Sequence, residues 1–224
     1  MTPPIPRRAF TFRAFLLLLL LPPGCAPQRG GILAPPAHAQ SRAPAAANRN
    51  TIAERVVAGA RAQIGDSYDP SYVRIPYPNG DVAKGAGVCT DVVVRALRAA
   101  GHDLQRLIHQ DMRRHFARYP RKWGLRRPDR NIDHRRVPNQ MTFFARHGQT
   151  LPKNVTPATL ATWQPGDIVC WKLDNGLDHT GVISDRKNEN GAPLVIHNIA
   201  RCAEDDCLTR WKITGHFRYP KRKD

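Results

Sequence analysis

The chain has 224 residues, 41% of them hydrophobic and 7% aromatic, enough for one domain with a real core. Lys and Arg number 35 against 18 Asp and Glu, a formal net charge of +17 that favours anionic partners: nucleic acid, anionic lipid, lipopolysaccharide or wall polymer. The apolar run Leu16–Leu21 is too short to span a bilayer, which excludes a spanning helix there.

Arg7-Arg8, the apolar run from Phe15 to Leu21, and Ala37-His38-Ala39 before Gln40 have the layout of a secretory signal over residues 1–39. They predict a mature protein that is periplasmic or secreted, in an oxidising space, with no transmembrane span after cleavage. Arg7-Arg8-Ala9-Phe10 also resembles a twin-arginine signal. Leu21-Pro22-Pro23-Gly24-Cys25 loosely resembles a lipoprotein cleavage box, so anchoring at Cys25 is the minor alternative. Cleavage near residue 39 removes Arg7, Arg8, Arg13 and Arg29 and leaves a strongly basic chain. Export argues against nucleic acid as the partner.

Residues 40–50 are rich in Ala, Pro and Asn and read as a disordered lead-in to one domain over 51–220. Thr51-Ile-Ala-Glu54 is a capping box, and Ile52, Val56, Ala60 and Ile64 share one helical face before Gly65. Tyr68 to Lys84 has no periodicity and reads as a long loop, with a short hairpin at the Asn79-Gly80 signal as an option. A loop this long leading straight into Cys89 is expected to wall a site. Val93, Ala96, Leu97 and Ala100 predict a helix ending at Gly101. Asp103 caps a second, with Leu104, Leu107, Ile108, Met112 and Phe116 inward. Tyr119 to Val137 is a basic loop, and Asn139 to Arg146 reads as a third helix. Thr156 to Thr162 has room for one more turn.

The period then changes from 3.6 to 2. Strands are predicted at 167–173, 179–184 and 194–198, separated by turns at Asp174-Asn175-Gly176 and at 188–191, with a fourth within 209–219. Helices first and a strand meander after predict an α+β domain, helices packed on one face of an antiparallel sheet of about four to five strands.

Among the cysteines, Cys202 and Cys207 read as disulfide partners in an exported chain, with loose metal ligation as the minor alternative since no histidine pair nearby has zinc-finger spacing, and Cys170 as a buried strand residue. Cys89 stands apart. Gly85-Ala86-Gly87-Val88 delivers it to a helix start, where the macrodipole favours an anion, so its thiol is expected to ionise more readily than a free one. A thiol nucleophile needs a base and the base an orienting group. His179 at a strand start is the expected base; His197, in the next strand, is brought near it by equal steps from the intervening turn. Backbone N–H groups at Cys89 and Thr90 are expected to serve an oxyanion. Asp178 reads as a turn residue, with binding of a substrate amine as its alternative, and Asn131-Ile-Asp133-His134-Arg135-Arg136 as a locally salt-bridged loop, with anion binding or capping of the cleft as alternatives. Arg113-Arg114, Arg121-Lys122 and Arg126-Arg127, with Tyr119 and Trp123 interleaved, read as a basic surface suited to an anionic polymer. No phosphate loop, dinucleotide fingerprint or metal cluster is found, so no cofactor is implied.

Cys89 at a helix start, Trp163-Gln-Pro-Gly-Asp167-Ile-Val, His179-Thr-Gly-Val-Ile-Ser and Val195-Ile-His197-Asn together resemble the NlpC-type branch of the papain-like cell-wall hydrolases. The fuller pattern adds Tyr68-Asp-Pro-Ser-Tyr, Gly87-Val-Cys-Thr-Asp, Asn131-Ile-Asp-His-Arg-Arg-Val-Pro-Asn and Ile213-Thr-Gly-His-Phe; it is similar to an exported bacterial family known as domain of unknown function 1287. The resemblance covers about residues 51 to 219. It implies a papain-like, NlpC-type fold with Cys89 as nucleophile, His179 as base and His197 as orienter, acting on amide bonds of peptidoglycan or another anionic envelope polymer. A binding module on the same scaffold, or a thiol acyltransferase or esterase, remains the alternative. Thr90-Asp91 replaces the usual Ser-Gly after the Cys, and Asp91 there opposes thiolate formation unless it turns away.

Overall fold

The computed structural model describes residues 51–221; the expected signal at 1–39 and lead-in at 40–50 lie outside them. The described chain is α+β, with four helices and a six-stranded antiparallel sheet. α1 (Ile52–Arg61) carries the predicted capping box: Thr51 accepts from the Glu54 N–H, and Glu54 accepts from the Thr51 N–H. α2 (Cys89–Ala99) packs against it through small residues; a Cβ on Gly59 would come within 2.5 Å of the Ala99 Cβ. α3 (Leu104–His115) starts at Asp103, whose carboxylate accepts from the Arg106 N–H. α4 (Val137–His147) starts two residues earlier than expected because Pro138 fits a helix's first turn.

The loop after α1 is no hairpin. Its ends form a two-residue parallel pair, β1 (Ser67–Tyr68) with β2 (Ala86–Gly87). Side chains of α2 hold its second half, and Asp103, Gln105 and Asn131 hold residues 73–80. Arg95 bonds Asp66, Asp81 and the carbonyls of Val82, Ala83 and Ala86, and Arg98 adds a second bond to Asp81. The loop is therefore ordered by contacts with side chains distant in sequence, which leave no local periodicity.

The sheet comprises β3 (Gln149–Thr150), β4 (Ile168–Lys172), β5 (Asp178–Lys187), β6 (Pro193–Asn198), β7 (Cys202–Asp205) and β8 (Lys212–Arg218), in the order β3-β8-β4-β5-β6-β7. Four of these were expected; the edge strands β3 and β7 are too short to show an alternation. Strand alternation splits the core in two. Ile168, Cys170, Val182 and Ile196 face the helices, whereas Val169, Trp171, Ile183 and Val195 face a second cluster closed by Trp163, Cys207 and Leu208. That division corrects the expected disulfide. Cys202 belongs to the helix side and Cys207 to the other, and both are free and buried.

Candidate active site

Gly87 lets the chain pass close to Asp91, since a Cβ there would sit 3.1 Å from both the Cβ and Oδ2 of Asp91. Val88 is then extended, and α2 begins at Cys89. The Asp91 carboxylate accepts from the Val88 N–H at 2.8 Å, so it caps its own helix. Cys89 is only 6% exposed. The backbone N–H groups of Thr180, Thr90 and Cys89 itself favour its thiolate, yet burial outweighs them and pushes the thiol up to about 12, with Asp91 adding in the same direction. Against an ordinary value of 9.0, that is about 4 kcal/mol against ionisation. A helix N-terminus returns about 0.3–1 kcal/mol, up to ~2 where partly buried. The expected readily ionised thiol is thus corrected: desolvation wins, and the resting sulfur is neutral.

Asp91 turns to Arg135, which donates from Nε at 2.8 Å and Nη2 at 2.9 Å, both side chains 4% exposed. Thr90 Oγ1 donates to the Arg135 carbonyl at 3.0 Å, fixing this segment to the start of α2. The 131–136 loop is locally bridged only in part, by Arg136 to Asp133 at 2.9 Å. Its other arginine compensates a carboxylate 44 residues away. Sequence reading assigned Arg135 no such role, because nothing local marks a partner at that distance.

His179 pairs in register with Trp171, and His197 with Gly181, so both rings lie on the sheet face that carries Trp171, away from the helices. The His179 Nε2 is 2.8 Å from the His197 Nδ1. Trp171 stacks on His179 with centroids 5.6 Å apart, and the Trp211 ring stands edge-on to both histidines at 5.8 and 6.0 Å. The His197 Nε2 is 3.1 Å from Oδ2 of Asp205, which sequence reading left out. Burial, and then the charge of His197, push His179 down to about 3. Burial also lowers His197, against an upward pull from Asp205. Both rings are therefore neutral near pH 7.

The structure thus joins His179 to His197 and brings the Cys89 sulfur to the backbone N–H of Thr180, next to His179 in the chain. Cys89 belongs to the helix-side cluster while the rings occupy the other face. Among the described residues no hydrogen bond links Sγ to the His179 ring, and His179 lies in the part of β5 that runs beyond the β6 pairing at Gly181.

Cys89 opens on a cleft of about 320 Å³ walled by Tyr68, Trp123, Arg135, Arg136 and Leu177, with Asp178 on its rim. Arg136 lies 4.1 Å over the Trp123 ring, and Asp178 pairs with Lys172 and Lys122. The Tyr68 hydroxyl is pushed up, first by burial and then by the nearby Cys89. The long loop does wall this cleft, as its position before Cys89 suggested. Tyr119 does not belong to the basic surface: it is 3% exposed and donates to Asp111 at 2.6 Å. A larger cavity of about 650 Å³, between the start of α1 and Pro165–Asp167, shares no residue with the cleft. Among the described residues no three His, Cys, Asp or Glu side chains are grouped to hold a metal ion.

The model of a family described as a domain of unknown function, DUF1287, matches residues 57–219. The uncharacterized protein YijF of Escherichia coli K12 is 56% identical over 164 residues, which are 72% of this chain and 78% of that protein. Two solved structures match at 14% identity. One is RipD from Mycobacterium tuberculosis, described as a non-catalytic NlpC/p60 domain protein adapted to peptidoglycan binding; the TM-score is 0.40, over 76% of this chain and 98% of that one. The other is an N-acetylmuramoyl-L-alanine amidase from Bacteroides uniformis, with a TM-score of 0.49 over 75% of this chain and 99% of that one. Among the described residues no helix is long and apolar enough to cross a membrane.

Proposed function

The chain belongs to the DUF1287 family, and from that premise we propose that it is an exported cysteine hydrolase cleaving amide bonds in peptidoglycan stem peptides. The observation that carries the reading is the position of Cys89. It is a free thiol at the first residue of α2, on the wall of a cleft, with its sulfur at the backbone N–H of Thr180, the residue after His179, whose ring is linked to His197.

In this reading Cys89 is the nucleophile, His179 the general acid–base and His197 its orienter. The resting pair is a neutral thiol and a neutral imidazole, so the proton moves only as attack begins. The S–H bond breaks, His179 takes the proton, and sulfur adds to the amide carbon. Backbone N–H groups at the start of α2 steady the developing oxyanion. His179 returns the proton to the leaving amine as the C–N bond breaks, and water hydrolyses the thioester to restore the thiol. The excess of Arg and Lys suits an anionic envelope polymer. The same nucleophile serves a thiol acyltransferase or an esterase, which product analysis separates.

One observation favours a second reading. Burial that holds the Cys89 thiol near 12 suits a chain that binds wall polymer without turnover. Mass spectrometry of peptidoglycan incubated with wild type and with Cys89→Ala, alongside co-sedimentation with sacculi, decides between them. Fragments released by wild type and not by the variant support the hydrolase. Binding by both without fragments supports the binding module, and equal release by both removes Cys89 from the chemistry.

A further inference from the structure

β5, β6 and β7 are neighbours in the sheet, and period-two alternation puts His179, His197 and Asp205 on one face. His197 faces Gly181, two residues from His179; Asp205 faces Val195, two residues from His197. The three side chains form a diagonal line: His179 Nε2 to His197 Nδ1 at 2.8 Å, and His197 Nε2 to Asp205 Oδ2 at 3.1 Å. The same alternation sends Glu204 to the opposite face, where it pairs with Arg61 of α1. Of the two adjacent acids, only Asp205 can serve the histidines.

The geometry points to Asp205 as a positioning residue that sets the tautomer of both histidines and so leaves Nδ1 of His179 as the proton-accepting nitrogen; this rests on the hydrolase reading for its use, but not for its existence. A carboxylate oxygen only accepts, so His197 carries its proton on Nε2. Burial keeps this ring neutral, which leaves its Nδ1 as a lone pair. That lone pair accepts, so His179 donates from Nε2. His179, also neutral, then holds a lone pair on Nδ1, for which no hydrogen-bond partner is found among the described residues. The reverse arrangement would aim a bare Nε2 of His197 at a carboxylate. In the reaction the Cys89 S–H bond breaks and an N–H bond forms on His179 Nδ1. Without Asp205 the pair is free to invert, and His179 would then carry its resting proton on Nδ1, where it blocks that transfer. The Arg210 guanidinium, 5.1 Å over the Trp211 ring, shifts His197 in the opposite sense to Asp205 and offers it no accepting atom, so the carboxylate is the partner that fixes the Nε2 proton.

The test is two-dimensional ¹⁵N–¹H spectroscopy of imidazole nitrogens in the full chain, assigned with His179→Gln and His197→Gln. Wild type is expected to show the Nε2–H form of both rings at pH 7.5. Asp205→Ala is expected to mix the two forms at both positions, while Asp205→Asn, which keeps an accepting oxygen, is expected to restore the wild-type pattern. Asp205 is half-exposed, so circular dichroism of these variants should match wild type. Where peptidoglycan is cleaved, Asp205→Ala lowers kcat by on the order of 10–100-fold with KM little changed, within what a misdirected general base costs. An Nδ1–H form of His179 in wild type, or unchanged tautomers in Asp205→Ala, overturns the assignment. The predicted tautomers together with intact peptidoglycan would leave the assignment standing and reject the hydrolase instead.

Discussion

Alkylation of Cys89 by iodoacetamide tests the burial argument directly. At pH 7.5 a thiol titrating near 12 is ionised to about 3 parts in 10⁵, and a free thiol near 8.5 to about one part in ten, a ratio of about 3,000. Each thiolate of the more basic sulfur is a better nucleophile, by about 40-fold for a Brønsted slope of about 0.45. The net expectation is alkylation about 100-fold slower than a free cysteine, before any steric slowing by the 6% exposure. The rate should climb about tenfold per pH unit from 7 to 9 without a plateau. Peptide mapping by mass spectrometry isolates Cys89 from Cys170, Cys202 and Cys207, which are also buried and free. A rate at pH 7.5 equal to or above that of a free thiol would refute the reasoning, because the helix start would then have overcome desolvation.

Three further outcomes follow from the same contacts. Arg135→Ala leaves the buried Asp91 carboxylate without its bidentate partner and is expected to cost about 3–5 kcal/mol in urea unfolding, with Arg135→Lys recovering only part. Gly181→Ala places a Cβ 2.8 Å from Val195 Cγ1 and 3.0 Å from the Ile196 carbonyl, so β6 must shift; about 1–3 kcal/mol of stability is lost, and the His179–His197 contact loosens in the imidazole spectra. Acid also destabilises the fold. Burial lowers His179 to about 3 and His134 to about 4, whereas the unfolded chain titrates at 6.5. The unfolded state therefore binds more protons below pH 6.5. Stability is full above that value and falls by about 1.4 kcal/mol per pH unit for each ring, until pH 4 for His134 and pH 3 for His179. Two rings give about 4 kcal/mol at pH 5, and a thermal midpoint flat between pH 7 and pH 5 would contradict the assignment of both as buried and neutral.

Local rules made much of this fold readable. The Thr51 and Asp103 caps, the stop at Gly101 and the change of period near residue 167 each depend on residues within one or two turns, and each element lies where they put it. The start of α2 at Cys89 was legible for the same reason. What stayed hidden depends on contacts between distant segments. Asp91 and Arg135 are 44 positions apart, and the loop after β1 is held by Arg95 rather than by its own pattern. Asp205 did carry a signal: it sits two residues from Ala203, which faces His197, but seeing this requires knowing that 202–205 is a strand. Cys202 and Cys207 look like partners by spacing and are separated because Cys202, in β7, packs on the helix side while Cys207, beyond the strand, packs in the cluster on the other face. Proximity along the chain misleads wherever a strand edge intervenes.

A neutral sulfur beside a neutral histidine pair changes what the cleft must accomplish. A preformed thiolate would react with any oxidant that reached it, and oxidation follows thiolate character and exposure. Cys89 has little of either, so the same burial that slows iodoacetamide also protects the free thiol from oxidants. In the proposed hydrolase the cost is a proton that has to leave sulfur during attack, and a basic nitrogen has to take it. With the tautomers proposed above, the Asp205–His197–His179 line would offer Nδ1 of His179 for it without charging either ring at rest. Asp91, the nearest acid to the sulfur along α2, is kept from that role by Arg135 and by the Val88 N–H it caps. Wild-type protein should therefore lose Cys89 labelling slowly when it is challenged with hydrogen peroxide at pH 7, and faster as pH is raised to 9. Rapid loss at pH 7 would mean that the thiolate is present before substrate arrives, and the division of labour between sulfur and histidine would have to be redrawn.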